Sequence, residues 1–340
     1  MKIMTIIGTR PELIRLSVTI KLLDQVCDHV LVHTGQNWDP TLNGDLFKEL
    51  GIREPDLNLQ GGQESKFHFM SEVLPVLAAF VKAQDPDAIL ILGDTNSCLA
   101  AAMVANSLNI PLVHCEAGNR CWSSVVPEES NRKMIDQISD LNLVYGEQQR
   151  LNLLREGHHP SEIVKTGSPM KEVIDAYHRV SGGYVSKKPY YALTVHRAEN
   201  LQCGAGWLEN LVSELQKTHP CRVSCHPRLE KAMDTKDSKT YLRPQGLNDW
   251  WNIQKQAVAV LSDSGTLPEE TYHLGFPALH LRHSNERPEA TEAGVVTTVG
   301  VSPPVILAAL KTVKSNREII ADYEVDNFAE RVWSCLQSHL

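Results

Sequence analysis

Five groups of residues carry side chains that could do chemistry. In Gly8-Thr9-Arg10-Pro11-Glu12 a glycine turn presents an arginine, whose planar fork matches phosphate oxygens. Gly93-Asp94-Thr95-Asn96 and His114-Cys115-Glu116-Ala117-Gly118 each offer a carboxylate, and Val126-Pro127-Glu128-Glu129-Ser130-Asn131-Arg132 extends the latter group. Thr194-Val195-His196-Arg197-Ala198-Glu199-Asn200 places a histidine beside an arginine. Ser262-Asp263-Ser264-Gly265-Thr266 leads into Glu269-Glu270. Carboxylates (Asp94, Glu116, Glu128) gather in the first half, and anion-binding groups (His196, Ser264, Gly265, Arg287) in the second. That division suits a phosphorylated ligand, with acid/base work on one side and phosphate held on the other.

Each group also has a plainer account. Asp94 and Asp263 suit helix caps or turns. Glu116 suits a solvated loop, Glu128 the dipole-favoured first turn of a helix, and His196 a satisfied strand end. Ser264 invites a nucleophile reading, but its surroundings are not a G-x-S-x-G elbow, and a serine opening a helix more naturally binds phosphate. The weight of the functional reading comes from the groups occurring together.

Residues 2–15 are expected to form a short apolar strand, a glycine turn, and a helix opened by Pro11 with Glu12 in its first turn. Such a turn points free N–H groups and a helix dipole at one spot, which suits an anion. Strands follow at 29–35, 88–94, 110–116, 142–146 and 163–167, with helices at 67–83 and 98–108. The run 88–94 is apolar throughout, as a central parallel strand covered on both faces must be. Alternation at this spacing marks a doubly wound parallel sheet. A hinge is expected around Ser181-Gly182-Gly183, after which the pattern restarts. Strands are expected at 190–195, 222–225, 241–242, 257–261 and 278–281, and helices at 207–218, 250–256 and 267–274. A last helix near 318–336 carries Phe328, Val332 and Leu336 on one face. The sequence therefore predicts an α/β protein of two Rossmann-like domains, 1–175 with the acid/base carboxylates and 176–320 with the phosphate-binding groups. These would face each other across a cleft, with a terminal helix over 321–340 returning to the first domain.

The chain has 340 residues, of which 42% are hydrophobic, enough for two real cores. Its net charge of -8 argues against nucleic acid or anionic lipid as a general partner. No apolar run is long enough to span a membrane, and Gly8 and Arg10 interrupt the N-terminus too early for a signal peptide, so a cytoplasmic protein is expected. Eight cysteines (Cys27, Cys98, Cys115, Cys121, Cys203, Cys221, Cys225 and Cys335) are scattered without a C-x-x-C pair. Reduced thiols follow rather than a disulfide framework. Cys221, Cys225 and His226 lie close together but lack the partner pair of a structural zinc site.

Gly8-Thr9-Arg10-Pro11-Glu12, Gly93-Asp94-Thr95, Glu116-Ala117-Gly118, Pro127-Glu128-Glu129, His196-Arg197, Asp263-Ser264-Gly265 and Glu286-Arg287-Pro288-Glu289 occur in one order. Together they resemble the non-hydrolysing UDP-N-acetylglucosamine 2-epimerases, whose paired Rossmann domains are also those of GT-B glycosyltransferases. Leu13-Ile14-Arg15-Leu16-Ser17, His33-Thr34-Gly35-Gln36-Asn37, Asn119-Arg120-Cys121 and Lys165-Thr166-Gly167-Ser168-Pro169-Met170 look like the branch that makes UDP-N-acetyl-L-fucosamine. The resemblance implies that Arg10, Ser264 and Gly265 hold the diphosphate, that Glu270 binds the ribose, and that Arg15 and Thr266 also belong to the substrate- and UDP-binding set, which makes 176–320 the UDP-binding domain. It implies Asp94, Glu116 and Glu128 as acid/base groups at the sugar, with His196 and Arg287 near the diphosphate or sugar. The expected partner is a UDP-sugar, the expected assembly a homodimer, and no cofactor or metal is required. Arg15 stands where the family usually has lysine, which removes any role needing a neutral amine. Gln36-Asn37-Trp38 departs from the family's Gln-His-Arg stretch, linked in some members to activation by UDP-GlcNAc. The alternatives are a hydrolysing 2-epimerase, a GT-B glycosyltransferase, or a silent nucleotide-sugar-binding protein. The intact carboxylate trio argues against the last two.

Overall fold

In a computed structural model the chain divides into two compact units, one of Met1–Ala176 with Ala321–Leu340 and one of Tyr177–Ile320. The structure describes all residues except 37–39, 60, 62–64, 181–187, 202, 203, 205, 226–228, 230–238, 317 and 340, and the side chains of 40–43 and 198. The expected hinge at 181–183 and the residues Asn37, Trp38, Cys203 and His226 lie outside the described set. No described helix is long and apolar enough to cross a membrane.

The first unit is built on a parallel sheet of β1 (Lys2–Ile7), β2 (Asp28–His33), β3 (Leu57–Asn58), β4 (Ala88–Leu92), β5 (Leu112–Cys115), β6 (Leu141–Val144) and β7 (Ile163–Lys165). Their order is β3-β2-β1-β4-β5-β6-β7. The order reverses between β1 and β4, which pair with Met4 opposite Ile89. In an open sheet of this kind that reversal opens a crevice at the carboxyl ends of the two strands. β1 and β4 are apolar on both faces because helices cover both, and Met4, Ile6, Ile89 and Ile91 are fully buried.

The second unit repeats the plan. β8 (Tyr191–Thr194), β9 (Cys221–Ser224), β10 (Tyr241–Leu242), β11 (Ala259–Ser262), β12 (Ala278–His280) and β13 (Thr297–Thr298) are all parallel, in the order β10-β9-β8-β11-β12-β13. Here the reversal lies between β8 and β11, which pair with Leu193 opposite Leu261. Its core gathers Leu193, Val195, Leu208, Leu211, Leu261 and Leu279.

Several boundaries differ from expectation. The final helix begins at Phe328 rather than near 318. The segment before it turns through a short 3-10 helix, Ala321–Tyr323, and is tied down by tertiary bonds. The Asp322 carbonyl accepts from Ser168 N–H (3.0 Å), and Val325 packs on Gly167. These long-range contacts outweigh the helical propensity of the stretch. The helix expected at 250–256 starts earlier, spanning Leu247–Lys255, and buries Leu247 and Trp251. Helices Glu147–Arg155 and Pro303–Ala309 carried too weak a stripe to be read from the sequence.

Candidate active site

The candidate groups sit at both sheet reversals. In the first unit the loop after β1 leads into the helix Arg10–Val26, with Thr9 as N-cap and proline in the first turn. Glu12 reaches back, and its Oε2 accepts the N–H of Gly8 (2.5 Å) and of Thr9 (3.0 Å). The N–H groups expected to be free for an outside anion are therefore already taken by the chain's own carboxylate. Glu12 is fully buried, and this desolvation pushes its carboxyl up to about 7. Arg10 is half-buried.

Asp94 and Glu116 follow neighbouring strands, since Leu92 pairs with Cys115 and Gly93 N–H donates to the Cys115 carbonyl at 3.0 Å. Glu116 has a positive φ of 68°. A non-glycine residue there costs about 1–3 kcal/mol, and such strain clusters where a side chain must be aimed. Its Oε1 accepts from Asn119 Nδ2 (3.1 Å), and its Oε2 lies 3.8 Å from Arg15 Nε. Arg15 is itself buried, with Nη1 3.5 Å from the Tyr145 hydroxyl and its guanidinium 5.6 Å from the ring centre. A planar, delocalised cation fits this slot against an aromatic face better than a compact ammonium.

Asp94 Oδ2 receives Arg132 Nε (3.1 Å) and Nη2 (2.5 Å). Arg132 comes from the helix Pro127–Ile138, which also carries Glu128 in its first turn. Glu128 is half-buried, and no hydrogen bond or ion pair joins it to Asp94 or Glu116 among the described residues. Behind the carboxylates lies a buried charge cluster. His114 stands with Nε2 2.8 Å from the Gly93 carbonyl and Nδ1 2.8 Å from Asp136 Oδ1, and Arg120 Nη1 is 2.7 Å from Asp136 Oδ2. Burial works against the Asp136 charge, but His114 and Arg120 overcome it and hold the carboxyl below its ordinary range.

In the second unit Asp263, after β11, is completely buried and organises the loop after β8. It accepts from the N–H of His196 (3.1 Å), the N–H of Arg197 (3.0 Å) and Asn200 Nδ2 (3.0 Å), and lies 3.2 Å from His196 Nδ1. The imidazole is thus fixed through one nitrogen, while 35% of the side chain stays exposed. Ser264 and Thr266 hydroxyls lie 3.0 Å apart, and Thr266 donates to Glu270 Oε1 (2.8 Å). Glu270 Oε2 takes Gln254 Nε2 at 3.0 Å, and burial raises the carboxyl. Gly265 is backed by Arg197, whose Nη2 would lie 3.6 Å from an added Cβ. Arg287 is buried, with Nε 3.9 Å from Glu269 Oε2 and its N–H bound to Asn285.

The structure thus links Arg15 with Glu116, His196 with Asp263, and Ser264 with Thr266 and Glu270. The sequence placed Glu129, Arg132, His114 and Arg120 inside its motifs but assigned none of them a role. One signal was present: Glu129 and Arg132 stand three apart on a helix and meet at 3.1 Å. Among the described residues no group of three or more His, Cys, Asp or Glu is placed to hold a metal ion.

The family model for UDP-N-acetylglucosamine 2-epimerase matches residues 22–337. A UDP-N-acetylglucosamine 2-epimerase of Methanocaldococcus jannaschii is 31% identical, covering 92% of this chain and 92% of its own. A UDP-2,3-diacetamido-2,3-dideoxy-D-glucuronate 2-epimerase of Pseudomonas aeruginosa is 32% identical over the same shares, 92% and 92%. The crystal structure of the Methanocaldococcus jannaschii UDP-GlcNAc 2-epimerase in complex with UDP-GlcNAc and UDP superposes with a TM-score of 0.91 at 28% identity, covering 99% of each chain. That likeness includes both parallel-sheet units, the GT-B-like class.

Proposed function

The chain belongs to the UDP-N-acetylglucosamine 2-epimerase family, and from that premise we propose that it inverts C2 of a UDP-linked 2-acetamido sugar by elimination and re-addition of UDP. The observation that carries this mechanism is the pair of carboxylates on neighbouring strand ends, Asp94 and Glu116, each held by an arginine. A base takes the C2 proton while UDP leaves C1, giving a 2-acetamidoglycal. A proton then returns to the opposite face and UDP re-adds. The C2–H is weakly acidic, so departure of a stabilised diphosphate must lower the barrier with it. Asp94, Glu116 and Glu128 supply acid/base groups on the sugar, with His196 as a further proton-handling group. Arg10, Ser264, Gly265, Thr266 and Arg287 hold the diphosphate, and Glu270 the ribose.

Within the family we assign the chain to the branch that forms UDP-N-acetyl-L-fucosamine. Arg15 supports this, because a buried guanidinium replaces lysine directly beside Glu116. On this reading the enzyme works in the cytoplasm as a homodimer, supplying a precursor of surface polysaccharide.

Incubation in D₂O with UDP-2-acetamido-2,6-dideoxy-L-talose and, separately, UDP-GlcNAc tests both levels by NMR. Deuterium should enter C2 while UDP stays attached at equilibrium, and faster with the talose substrate. Stoichiometric release of UDP would mean hydrolysis instead. Faster exchange with UDP-GlcNAc would remove the branch assignment, and no exchange in any UDP-HexNAc would remove the mechanism.

A further inference from the structure

The helix Pro127–Ile138 does more than carry Glu128. Two adjacent residues on it grip Asp94. Asn131 Nδ2 donates to the Asp94 carbonyl at 2.9 Å and also reaches Asn96 Oδ1 at 3.2 Å. Arg132 directs both Nε and Nη2 at one carboxylate oxygen, Oδ2. The other oxygen, Oδ1, accepts nothing among the described residues. The third fork of Arg132, Nη1, donates to Glu129 Oε2 at 3.1 Å. Glu129 is fixed in turn by the N–H groups of Cys121 (3.0 Å) and Trp122 (3.2 Å). A continuous chain of hydrogen bonds therefore runs from the loop backbone through Glu129 and Arg132 to one oxygen of Asp94.

We propose that Arg132 is a positioning residue of the epimerisation: by occupying Asp94 Oδ2 it fixes the rotation of the carboxylate and reserves Oδ1 for the sugar. The inference rests on Asp94 acting at C2. Three N–H groups in a plane are needed to meet Asp94 and Glu129 together, which a guanidinium provides and an ammonium does not. One buried cation serves both carboxylates, so removing it would leave two neighbouring negative charges without their shared counter-charge. Loss of the grip lets the reacting oxygen wander, and a displacement of about 1 Å at a reacting group costs on the order of a hundredfold in rate.

The test measures kcat, KM and UDP affinity for Arg132→Lys, Arg132→Ala and Asp94→Asn, using C2 deuterium exchange on the UDP-sugar and calorimetry with UDP alone. Arg132→Lys should lower kcat by about tenfold to a hundredfold while KM and UDP affinity stay near wild type. Added guanidinium ion should restore part of the activity of Arg132→Ala and none of that of Asp94→Asn, a rescue that a merely structural arginine would not give. Wild-type kcat in Arg132→Lys with an inactive Asp94→Asn would overturn the inference and leave the role of Asp94 standing. Wild-type exchange in Asp94→Asn would instead remove Asp94 from the chemistry, and the inference with it. Should the arginine variants not fold, Glu129→Gln decides. It keeps the guanidinium but weakens its second anchor, so a lowered kcat at unchanged UDP affinity supports the proposal and an unchanged kcat overturns it.

Discussion

Glu12 occupies, from inside the chain, the position expected of an external anion. Its carboxylate closes the Gly8–Thr9 turn and touches the Cys98 thiol (3.6 Å), so it joins the loop after β1 to the helix after β4. Burial makes ionisation costly, and the folded carboxyl titrates near 7 against an ordinary 4.5. Between those values the unfolded chain has released a proton that the folded chain keeps. The stabilisation is fully present below about 4.5 and is lost as pH rises through about 7, amounting to roughly 3 kcal/mol for a shift of this size. Glu12→Gln should remove that fall, and urea unfolding at pH 5 and pH 8 should show the two stabilities drawing together. An unchanged pH dependence in the variant would show that Glu12 does not titrate in this window. The sequence located Asp94 and Glu116 because each follows an apolar strand, where ligand groups belong. It contained Arg15 and Arg132 in its motifs but did not pair them with these carboxylates, because Arg15 meets Glu116 and Arg132 meets Asp94 only through tertiary packing.

At the level of elements, the crevice between β1 and β4 depends on how closely their following loops approach. A Cβ on Gly8 would lie 1.9 Å from Ser97 Oγ and 2.3 Å from Thr34 Oγ1, and those two hydroxyls already bond to each other at 2.6 Å. Gly8→Ala therefore forces the loop bearing Arg10 away from the helix Asn96–Leu108. A destabilisation of about 1–3 kcal/mol is expected from such overpacking. Pairing it with Ser97→Ala should recover part of the loss, as measured by a double-mutant cycle in denaturant. Strict additivity would mean that the loop relaxes elsewhere. The β1 and β4 strands were legible because buried parallel strands are apolar throughout. Of the two-residue edge strands, β10 was expected at 241–242, whereas β3 and β13 were not read. The last helix was legible by its stripe but not by its start, since Tyr323 and Val325 extend the apolar pattern while packing ahead of the α-helix, Tyr323 in the 3-10 turn.

For the whole molecule, the informative feature is that the chain begins and ends in the same unit. The helix Phe328–His339 packs on the helix Arg10–Val26, burying Phe328, Val332 and Leu336. Phe328 meets Tyr145 edge-on at 6.1 Å, and Arg331 Nη1 donates to the Thr166 carbonyl at 3.1 Å. Each such apolar side chain contributes roughly 1.5–3 kcal/mol. A protease site placed after Ala176 would separate the first unit's main body from the rest of the chain in covalent terms alone. The downstream fragment still ends in a plug seated in the upstream one, so the cut protein is its own complementation pair. After cleavage of the folded enzyme the two fragments should co-elute in gel filtration. Phe328→Ala, which costs about 3–5 kcal/mol at a buried aromatic, should release them. Separation of the unmutated fragments would mean that the terminal helix clasps too weakly to act as a fastener.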